Sequence, residues 1–154
     1  MERNKLPVVA HVFLLRSDTV LLARRCDTGF EDGNYGPVGG HVEGNEPLTQ
    51  AAVRECKEEI GVEIMPAALT FIGMSHYHSP TDEGVDVFFK VTQWKGEPHP
   101  FSECDDVRWC PLDKLPRNTL LNVIIGAALF GIIGVAVVIN TRLKDGWRNN
   151  DRTI

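Results

Sequence analysis

The chain has 154 residues, near the commonest size of a single domain, so we expect one domain over residues 1–154. Its 16 Lys and Arg residues against 21 Asp and Glu residues give a formal net charge of −5, which argues against a nucleic-acid partner because this balance provides no broad basic surface. The four cysteines form no CxxC pair and the amino terminus lacks the pattern of a secretion signal, so a zinc finger is excluded and a cytoplasmic protein with reduced thiols is expected.

The first third of the chain indicates a β-hairpin followed by a binding loop. Residues 8–15 and 19–23 are rich in β-branched and aliphatic side chains, and a short polar turn separates them. Residues 26–35 have the glycine-rich, acidic composition of a loop. We expect this loop to lie near a ligand, where Phe30 and Tyr35 either stack on a base or pack inward.

The middle of the chain predicts one helix and three further strands. Between residues 47 and 60 the apolar side chains recur at steps of three and four, which is typical of a helix, and Gly61 is suited to end it. Residues 68–76, 85–94 and 107–110 are apolar or alternating runs and are predicted to be strands.

The last third contains a long segment without charge, residues 118–141. It is long enough for a membrane anchor, since about 20 apolar residues span a bilayer, and basic residues flank both of its ends. Alternatively, residues 119–130 form a helix and residues 132–139 form a buried strand or a dimer contact. We favour the second interpretation because a sheet needs covering on both faces. A helix without a polar side must then be nearly enclosed, for example in a homodimer.

The residue types that carry chemistry are concentrated in the predicted helix. Glu55, Glu58 and Glu59 stand at positions i, i+3 and i+4, so their carboxylates project from one helical face. An isolated run of this kind would also fit a solvated face with ion pairs. Clustered carboxylates repel one another unless a cation neutralises them, and oxygen ligands suit Mg²⁺ or Mn²⁺. The spacing therefore predicts a divalent-metal site.

The residues around these carboxylates support the same prediction. Arg54 precedes Glu58 by four residues and can hold its carboxylate by a charge-assisted hydrogen bond. Apolar residues on the other side of the helix would anchor it to a sheet, and the preceding glycines let the backbone come close to a metal or phosphate. These residues are Val53, Cys56 and Ile60 on the helix, and Gly39, Gly40 and Gly44 before it.

The complete spacing resembles the signature of the Nudix hydrolases. Gly40 is followed after five residues by Glu46 and, after seven more, by the run Arg-Glu-Cys-Lys-Glu-Glu-Ile-Gly-Val at residues 54–62. Only Cys56 departs from the family pattern, which has Leu, Ile or Val there, and a buried thiol packs as a small hydrophobe. The resemblance is to the MutT-like branch and covers about residues 8–115. It implies an α/β fold, the Nudix-type α/β/α sandwich with a mixed β-sheet.

This resemblance implies roles for the residues of the signature. The carbonyl of Gly40 and the carboxylates of Glu55, Glu58 and Glu59 would bind Mg²⁺, with Mn²⁺ as a possible substitute. Either Glu58 or Glu59 would lie closest to the nucleophilic water. Arg54 would complete the catalytic group by orienting a carboxylate.

The resemblance implies two structural residues and one further metal ligand. Glu46 and Gly61 would be structural. MutT-like members often recruit another carboxylate from the loop before a Trp-containing strand. Glu103 fits that place best, with Asp105 and Asp106 as alternatives, although an ordinary solvated role is equally open for a loop residue.

Several other residues are candidates to contact the substrate. His41 lies within the signature, and His76, Tyr77 and His78 lie at the end of a predicted strand. Each of them fits an ordinary surface position as well.

The activity implied by the resemblance is hydrolysis of a nucleoside triphosphate to a monophosphate and pyrophosphate. One alternative is hydrolysis of compounds linked through a nucleoside diphosphate, such as nucleotide sugars and dinucleoside polyphosphates. A non-catalytic nucleotide sensor is the other, and the intact glutamates argue against it.

Overall fold

Seven strands and one α-helix make up the described part of the chain, which is residues 5–78, 83–121 and 124 of the computed structural model. The helix α1 spans Leu48–Ile60, and a short 3₁₀ helix spans Pro66–Ala68. The predicted helix and all five predicted strands are confirmed, with ends shifted by a few residues. The strands are β1 (Val8–Arg16), β2 (Thr19–Arg25), β3 (Tyr35–Gly36), β4 (Val38–His41), β5 (Thr70–His78), β6 (Glu83–Val91) and β7 (Cys104–Pro111).

Strand β1 is the centre of a mixed sheet, as the resemblance implied. It runs parallel to β6 over residues 8–14 and antiparallel to β4 over residues 9–12. Strand β5 lies beyond β6, while β2 carries β3 and β7. The predicted hairpin of β1 and β2 is confirmed, but the two strands pair only through residues 15 and 16 of β1, because the rest of β1 pairs with β4 and β6.

Strands β3 and β4 lie outside the predicted strands, because glycine and proline at residues 36–40 have low strand propensity. Tertiary packing overrides that propensity here. A Cβ atom at Gly39 would lie 2.1 Å from the carbonyl oxygen of Ala10, so only glycine allows β4 to pair with β1 at this distance. This close approach fixes the backbone of residues 39–41 beside α1.

Helix α1 buries the face that lies opposite its glutamates. Ala51, Ala52, Cys56 and Ile60 are buried, and they pack into the same core as the inward-facing residues of β1 and β6. The helix ends at Gly61, whose φ of 71° is in the left-handed region and whose N–H donates to the carbonyl of Lys57 at 3.1 Å. The carboxylates are therefore left on the side of α1 that faces solvent and β4.

The sheet has a second buried cluster, here called the second core, and the start of the charge-free segment packs against it. Leu120 contacts a buried cluster that includes Phe13, Tyr35 and Phe88, and Thr119 forms a parallel bridge with Tyr35. Residues 122, 123 and 125–141 lie outside the described residues, and so does most of either interpretation of that segment. The predicted helix over residues 119–130 is wrong at its start, because Thr119 lies in a β-bridge and Leu120 is not helical. Within the described ranges, no helix is long and apolar enough to cross a membrane.

Replacing Gly61 by alanine should destabilise the fold more than the same change at Gly33. Both glycines have a positive φ, 71° and 82°, so alanine costs about 1 kcal/mol of unfolding free energy at either position. At Gly61 a Cβ atom would also lie 2.7 Å from Cε2 of Phe101, whereas nothing lies within 4 Å at Gly33. Urea unfolding should give a loss for Gly61→Ala about 1 kcal/mol larger than for Gly33→Ala. Equal losses would contradict the contact with Phe101.

Candidate functional site

Arg54 is the residue that links the carboxylates of the site. Its Nη1 donates to Oε1 of Glu55 at 2.7 Å and to Oε2 of Glu58 at 3.1 Å. On its other side, Nη2 and Nε donate to the two carboxylate oxygens of Glu46 at 2.8 and 3.2 Å, and Nη2 also donates to the carbonyl of His41. These contacts, first of all those with Glu46, raise the pKa of Arg54 above its ordinary value. A guanidinium held in this way fixes the orientation of the side chains that it contacts.

Glu46 connects Arg54 to the turn that precedes α1. Its Oε1 accepts a hydrogen bond from the backbone N–H of Glu43 at 2.7 Å, while the same carboxylate pairs with Arg54. The hydrogen bonds from Arg54 and from that N–H lower the pKa of Glu46. The signature turn and the helix are thereby held together by one carboxylate.

The backbone of β4 lies directly against the glutamates of α1. A Cβ atom at Gly40 would lie 2.5 Å from Oε1 of Glu55, so the carboxylate fits there only because residue 40 is glycine. The next residue back, Gly39, donates its N–H to Oε2 of Glu59 at 3.2 Å. Carboxylate oxygens and backbone polar groups thus meet at one point between α1 and β4.

Glu55 and Glu59 are partly buried, and the surrounding residues replace only part of the stabilisation that water would give their ionised forms. Burial raises the pKa of Glu59 to about 8, and the charge of Glu55 adds to this effect, against the opposing hydrogen bond from Gly39. Burial also raises the pKa of Glu55, although Arg54 opposes the shift. An additional positive charge between α1 and β4 would therefore stabilise the ionised form of both side chains.

The donor set suits a hard divalent ion. In the described ranges, no three His, Cys, Asp or Glu side chains converge closely enough to hold a metal ion, and the cation that Glu55 and Glu58 share is the guanidinium of Arg54. The carboxylates and the carbonyl of Gly40 nevertheless offer oxygen ligands there, and among the described residues Glu59 is hydrogen-bonded by the N–H of Gly39 rather than by a cationic side chain. Oxygen donors with uncompensated negative charge fit Mg²⁺ or Mn²⁺.

Glu103 lies near this donor set. Its side chain lines the same cleft as the glutamates of α1, and its negative charge contributes to the raised pKa of both Glu55 and Glu59. Its backbone carbonyl accepts a hydrogen bond from the N–H of Cys26 at 2.9 Å, which ties its loop to the end of β2.

Asp105, Asp106 and Tyr35 lie outside the cleft. Asp105 pairs with Arg24, at 2.7 Å between Oδ1 and Nε, and Asp106 accepts the hydroxyl hydrogen bond of Tyr35. Tyr35 is buried in the second core. Of the two alternatives for this residue, stacking on a base or packing inward, the structure has the second. Its ring is covered by Arg108, whose guanidinium carbon lies 4.9 Å from the ring centre.

The cleft beside the glutamates has a volume of about 950 Å³, within the range of small-molecule sites. His41, Phe30 and Tyr77 all line it. Phe30 is 67% exposed, and Arg25 holds its loop by donating from Nε to the carbonyl of Phe30 at 2.9 Å. An exposed aromatic ring on a loop that is held in this way can stack on a flat ligand.

His76 and His78 do not line the cleft. On β5 the side chains of Ser75 and Tyr77 line it, and alternation along a strand directs the residues between and after them to the other face. Nε2 of His76 instead lies 3.0 Å from Oε1 of Glu83, and Nδ1 of His78 lies 3.7 Å from the same oxygen.

Two cleft residues, His11 and Asp86, are absent from the sequence-based candidates. Nε2 of His11 lies 3.0 Å from Oδ1 of Asp86, and both side chains line the cleft. The signal in the sequence is weak: His11 interrupts an apolar run in β1, and Asp86 lies between two valines in β6. Because 75 residues separate them, their contact depends on the parallel pairing of β1 with β6.

Comparison with known proteins identifies relatives of the chain. A model of the NUDIX domain matches residues 5–125. The chain is 38% identical to the NAD-capped RNA hydrolase NudC of Pseudomonas aeruginosa over 106 residues, which are 68% of this chain and 36% of that protein. It is 32% identical to the 8-oxo-dGTP diphosphatase of Proteus vulgaris over 97 residues, which are 63% of this chain and 85% of that protein. The chain thus spans only about a third of the Pseudomonas relative.

Solved structures share the fold. The MutT NUDIX hydrolase from Burkholderia pseudomallei superposes with a TM-score of 0.75 at 23% identity, covering 82% of this chain and 98% of that one. The ORF135 protein of E. coli superposes with a TM-score of 0.67 at 23% identity, covering 82% and 89%. At these identities the likeness concerns the fold alone.

Replacing Glu46 by glutamine should lower the midpoint of thermal unfolding in metal-free buffer at pH 7, because the pair with Arg54 loses its charge. The exposed Glu43 in the same turn provides the control, and Glu43→Gln should leave the midpoint unchanged. The folded pKa of Glu46 is lowered, so its contribution is complete above the ordinary value of 4.5 and is lost as the pH falls through the folded pKa. The gap between wild type and Glu46→Gln should close in acid. A difference in midpoint that persists in acid, or the absence of a difference at pH 7, would contradict the stabilising role of the Glu46–Arg54 pair.

Proposed function

The chain belongs to the NUDIX domain family, and we propose that it hydrolyses a phosphoric anhydride bond of a nucleotide in a reaction that requires a divalent metal ion. The observation that carries this proposal is that Glu55, Glu58 and Glu59 line one cleft with the backbone of Gly39 and Gly40. That cleft is large enough for a nucleotide.

The metal ion, Mg²⁺ or Mn²⁺, would be held between α1 and β4. Glu55, Glu59 and the carbonyl of Gly40 are the proposed ligands, with Glu58 and Glu103 as further donors. When bound, the ion supplies positive charge that stabilises phosphate oxygens and lowers the pKa of a water molecule.

Glu58 is the proposed acceptor of the proton from the attacking water. Its side chain is 55% exposed, so it can reach a water in the cleft, and Nη1 of Arg54 holds one of its oxygens at 3.1 Å. Glu59 is the more enclosed of the two candidates, and its Oε2 is already held by Gly39. As the water oxygen bonds to phosphorus, the anhydride P–O bond breaks, the bridging oxygen keeps the electron pair and leaves with its half of the anhydride, and the water proton passes to Glu58. Arg54 acts here as a positioning residue.

The proposed reaction is cleavage of a nucleoside triphosphate to a monophosphate and pyrophosphate. The similarity to an 8-oxo-dGTP diphosphatase, 85% of which is matched, supports it. Hydrolysis of a compound linked through a nucleoside diphosphate is the second candidate, which the 38% identity to a NAD-capped RNA hydrolase favours. Retention of all three glutamates of α1 argues against a sensor without activity.

Incubation of the chain with Mg²⁺ and a nucleoside triphosphate, a nucleotide sugar or a dinucleotide tests the proposal. We expect pyrophosphate to be released from the triphosphate. If the chain instead hydrolyses compounds linked through a nucleoside diphosphate, the nucleotide sugar or the dinucleotide should release monophosphates. Glu58→Gln should lower turnover by about 10²-fold to 10⁴-fold, because the proton acceptor is lost. The measurement is the product released per minute, with and without a chelator.

Glu63→Gln is the matched control, since Glu63 is an exposed glutamate just beyond α1 whose side chain lies 3.9 Å from Lys57. It should keep wild-type turnover, and both variants should keep the wild-type circular dichroism spectrum. Near-normal turnover of folded Glu58→Gln would refute the role of Glu58. The absence of hydrolysis of every compound by the wild type would refute the proposed function.

A further inference from the structure

A buried histidine and an aspartate form a pair on the face of the sheet that lines the cleft. His11 on β1 is 7% exposed, and its ring stacks on Phe88, with 5.3 Å between ring centroids. With the proton on Nε2, it donates to Oδ1 of Asp86 at 3.0 Å. Its Nδ1 is buried and has no hydrogen-bond partner in the described part of the chain.

Burying this pair costs free energy. An unsatisfied buried ring nitrogen is unfavourable, and an apolar side chain at residue 11 would pack on Phe88 without that penalty. The side chain of Asp86 is 18% exposed and lines the cleft, so it is accessible to a ligand. In the described ranges, its side chain has His11 as its only hydrogen-bonding partner.

The distance from this pair to the proposed metal site at β4 is suitable for a bound nucleotide. Within the sheet, β4 is next to β1 and β1 is next to β6, so Asp86 lies two strands away from the glycines that contact Glu55 and Glu59. Two strand spacings are about 10 Å. That span suits a nucleoside whose phosphates lie at β4 and whose base lies over β6.

The neighbouring strand β5 places an aromatic and a small polar side chain near Asp86. Residue 84, opposite Tyr77 on β5, is glycine, and a Cβ atom there would lie 2.4 Å from the Tyr77 hydroxyl oxygen, so the tyrosine lies close along β6. Ser75 faces Asp86 across the same two strands. Aromatic and small polar side chains around one carboxylate are typical of a site for a heterocycle.

We propose that Asp86, positioned by His11, selects the base of the substrate by accepting a hydrogen bond from a ring N–H of that base. A carboxylate only accepts hydrogen bonds, so it favours bases with a ring N–H at the edge that faces it, such as hypoxanthine, guanine and uracil. It disfavours adenine and cytosine, whose corresponding ring nitrogen is itself an acceptor. This inference rests on the proposed function in taking the ligand of the cleft to be a nucleotide.

Binding of uncleavable nucleotides tests the proposal without requiring turnover. Inosine and adenosine form a matched pair of ligands, because they differ only at the ring N1 and the adjoining exocyclic group. Calorimetric titration with their α,β-methylene triphosphates in Mg²⁺ should give the wild type an affinity about tenfold or more higher for the inosine compound. Asp86→Asn should abolish or reverse this ratio, because a carboxamide carries N–H donors as well as an acceptor and can therefore also pair with adenine.

Three control titrations separate base recognition from other effects. Glu63→Gln should keep the wild-type ratio. Inorganic tripolyphosphate should bind wild type and Asp86→Asn equally, because it has no base. The 2′-deoxyinosine compound should show the same dependence on Asp86 as the ribonucleotide.

His11 is tested as a positioning residue. His11→Phe keeps a ring on Phe88 but removes the donor, and it should reduce the base preference. His11→Gln retains an N–H donor and should restore part of the preference. Unfolding midpoints identify any variant that has lost its fold.

Several results would overturn the proposal. These are equal losses for all ligands in Asp86→Asn, a dependence on the ribose 2′-hydroxyl, an unchanged ratio in Asp86→Asn, or no nucleotide binding by the wild type. A wild type that shows the base preference but hydrolyses nothing would refute the proposed function and leave this inference standing. If the wild type hydrolyses nucleotides but its preference for inosine over adenosine does not depend on Asp86, this inference is refuted and the proposed function stands.

Discussion

The burial of neighbouring carboxylates on one helical face, together with their mutual repulsion, is the constraint on which the site depends. Glu55 and Glu59 come from neighbouring turns of α1, and both are partly removed from water, which raises their pKa values. Arg54 neutralises the outer side of the cluster through Glu55 and Glu58, but Glu59 lies beyond its hydrogen bonds. The geometry therefore leaves a deficit of positive charge between α1 and β4, and the proposed metal ion would remove it.

The sheet converts that local electrostatic feature into a cleft with two chemically different ends. Gly39 and Gly40 allow β4 to lie against both β1 and the glutamates, which sets oxygen donors at one end. The parallel pairing of β1 with β6 brings His11 and Asp86 together at the other. Oxygen ligands for the proposed metal ion at one end and a hydrogen-bond acceptor at the other suit the nucleotide that we propose as the substrate.

The sequence predicted α1 and its glutamates because helical spacing is a local property: the positions of Glu55 and its neighbours follow from 3.6 residues per turn. It did not predict β4, since Gly39 has low strand propensity and is extended only through its contact with β1. The inward position of Tyr35 involves residues distant in sequence, such as Phe88 in the second core and Asp106, 71 residues away, which accepts its hydroxyl hydrogen bond. The pair of His11 and Asp86 likewise depends on which strands are neighbours, and no local pattern specifies that.

Calorimetric titration of the folded chain with Mg²⁺ tests the central claim most directly. Wild type and Glu63→Gln should bind the ion with equal affinity, while Glu59→Gln should bind it at least about tenfold more weakly, since a neutral amide replaces a proposed ligand. Equal binding by all three proteins, or no binding by the wild type with a nucleotide present, would contradict the account.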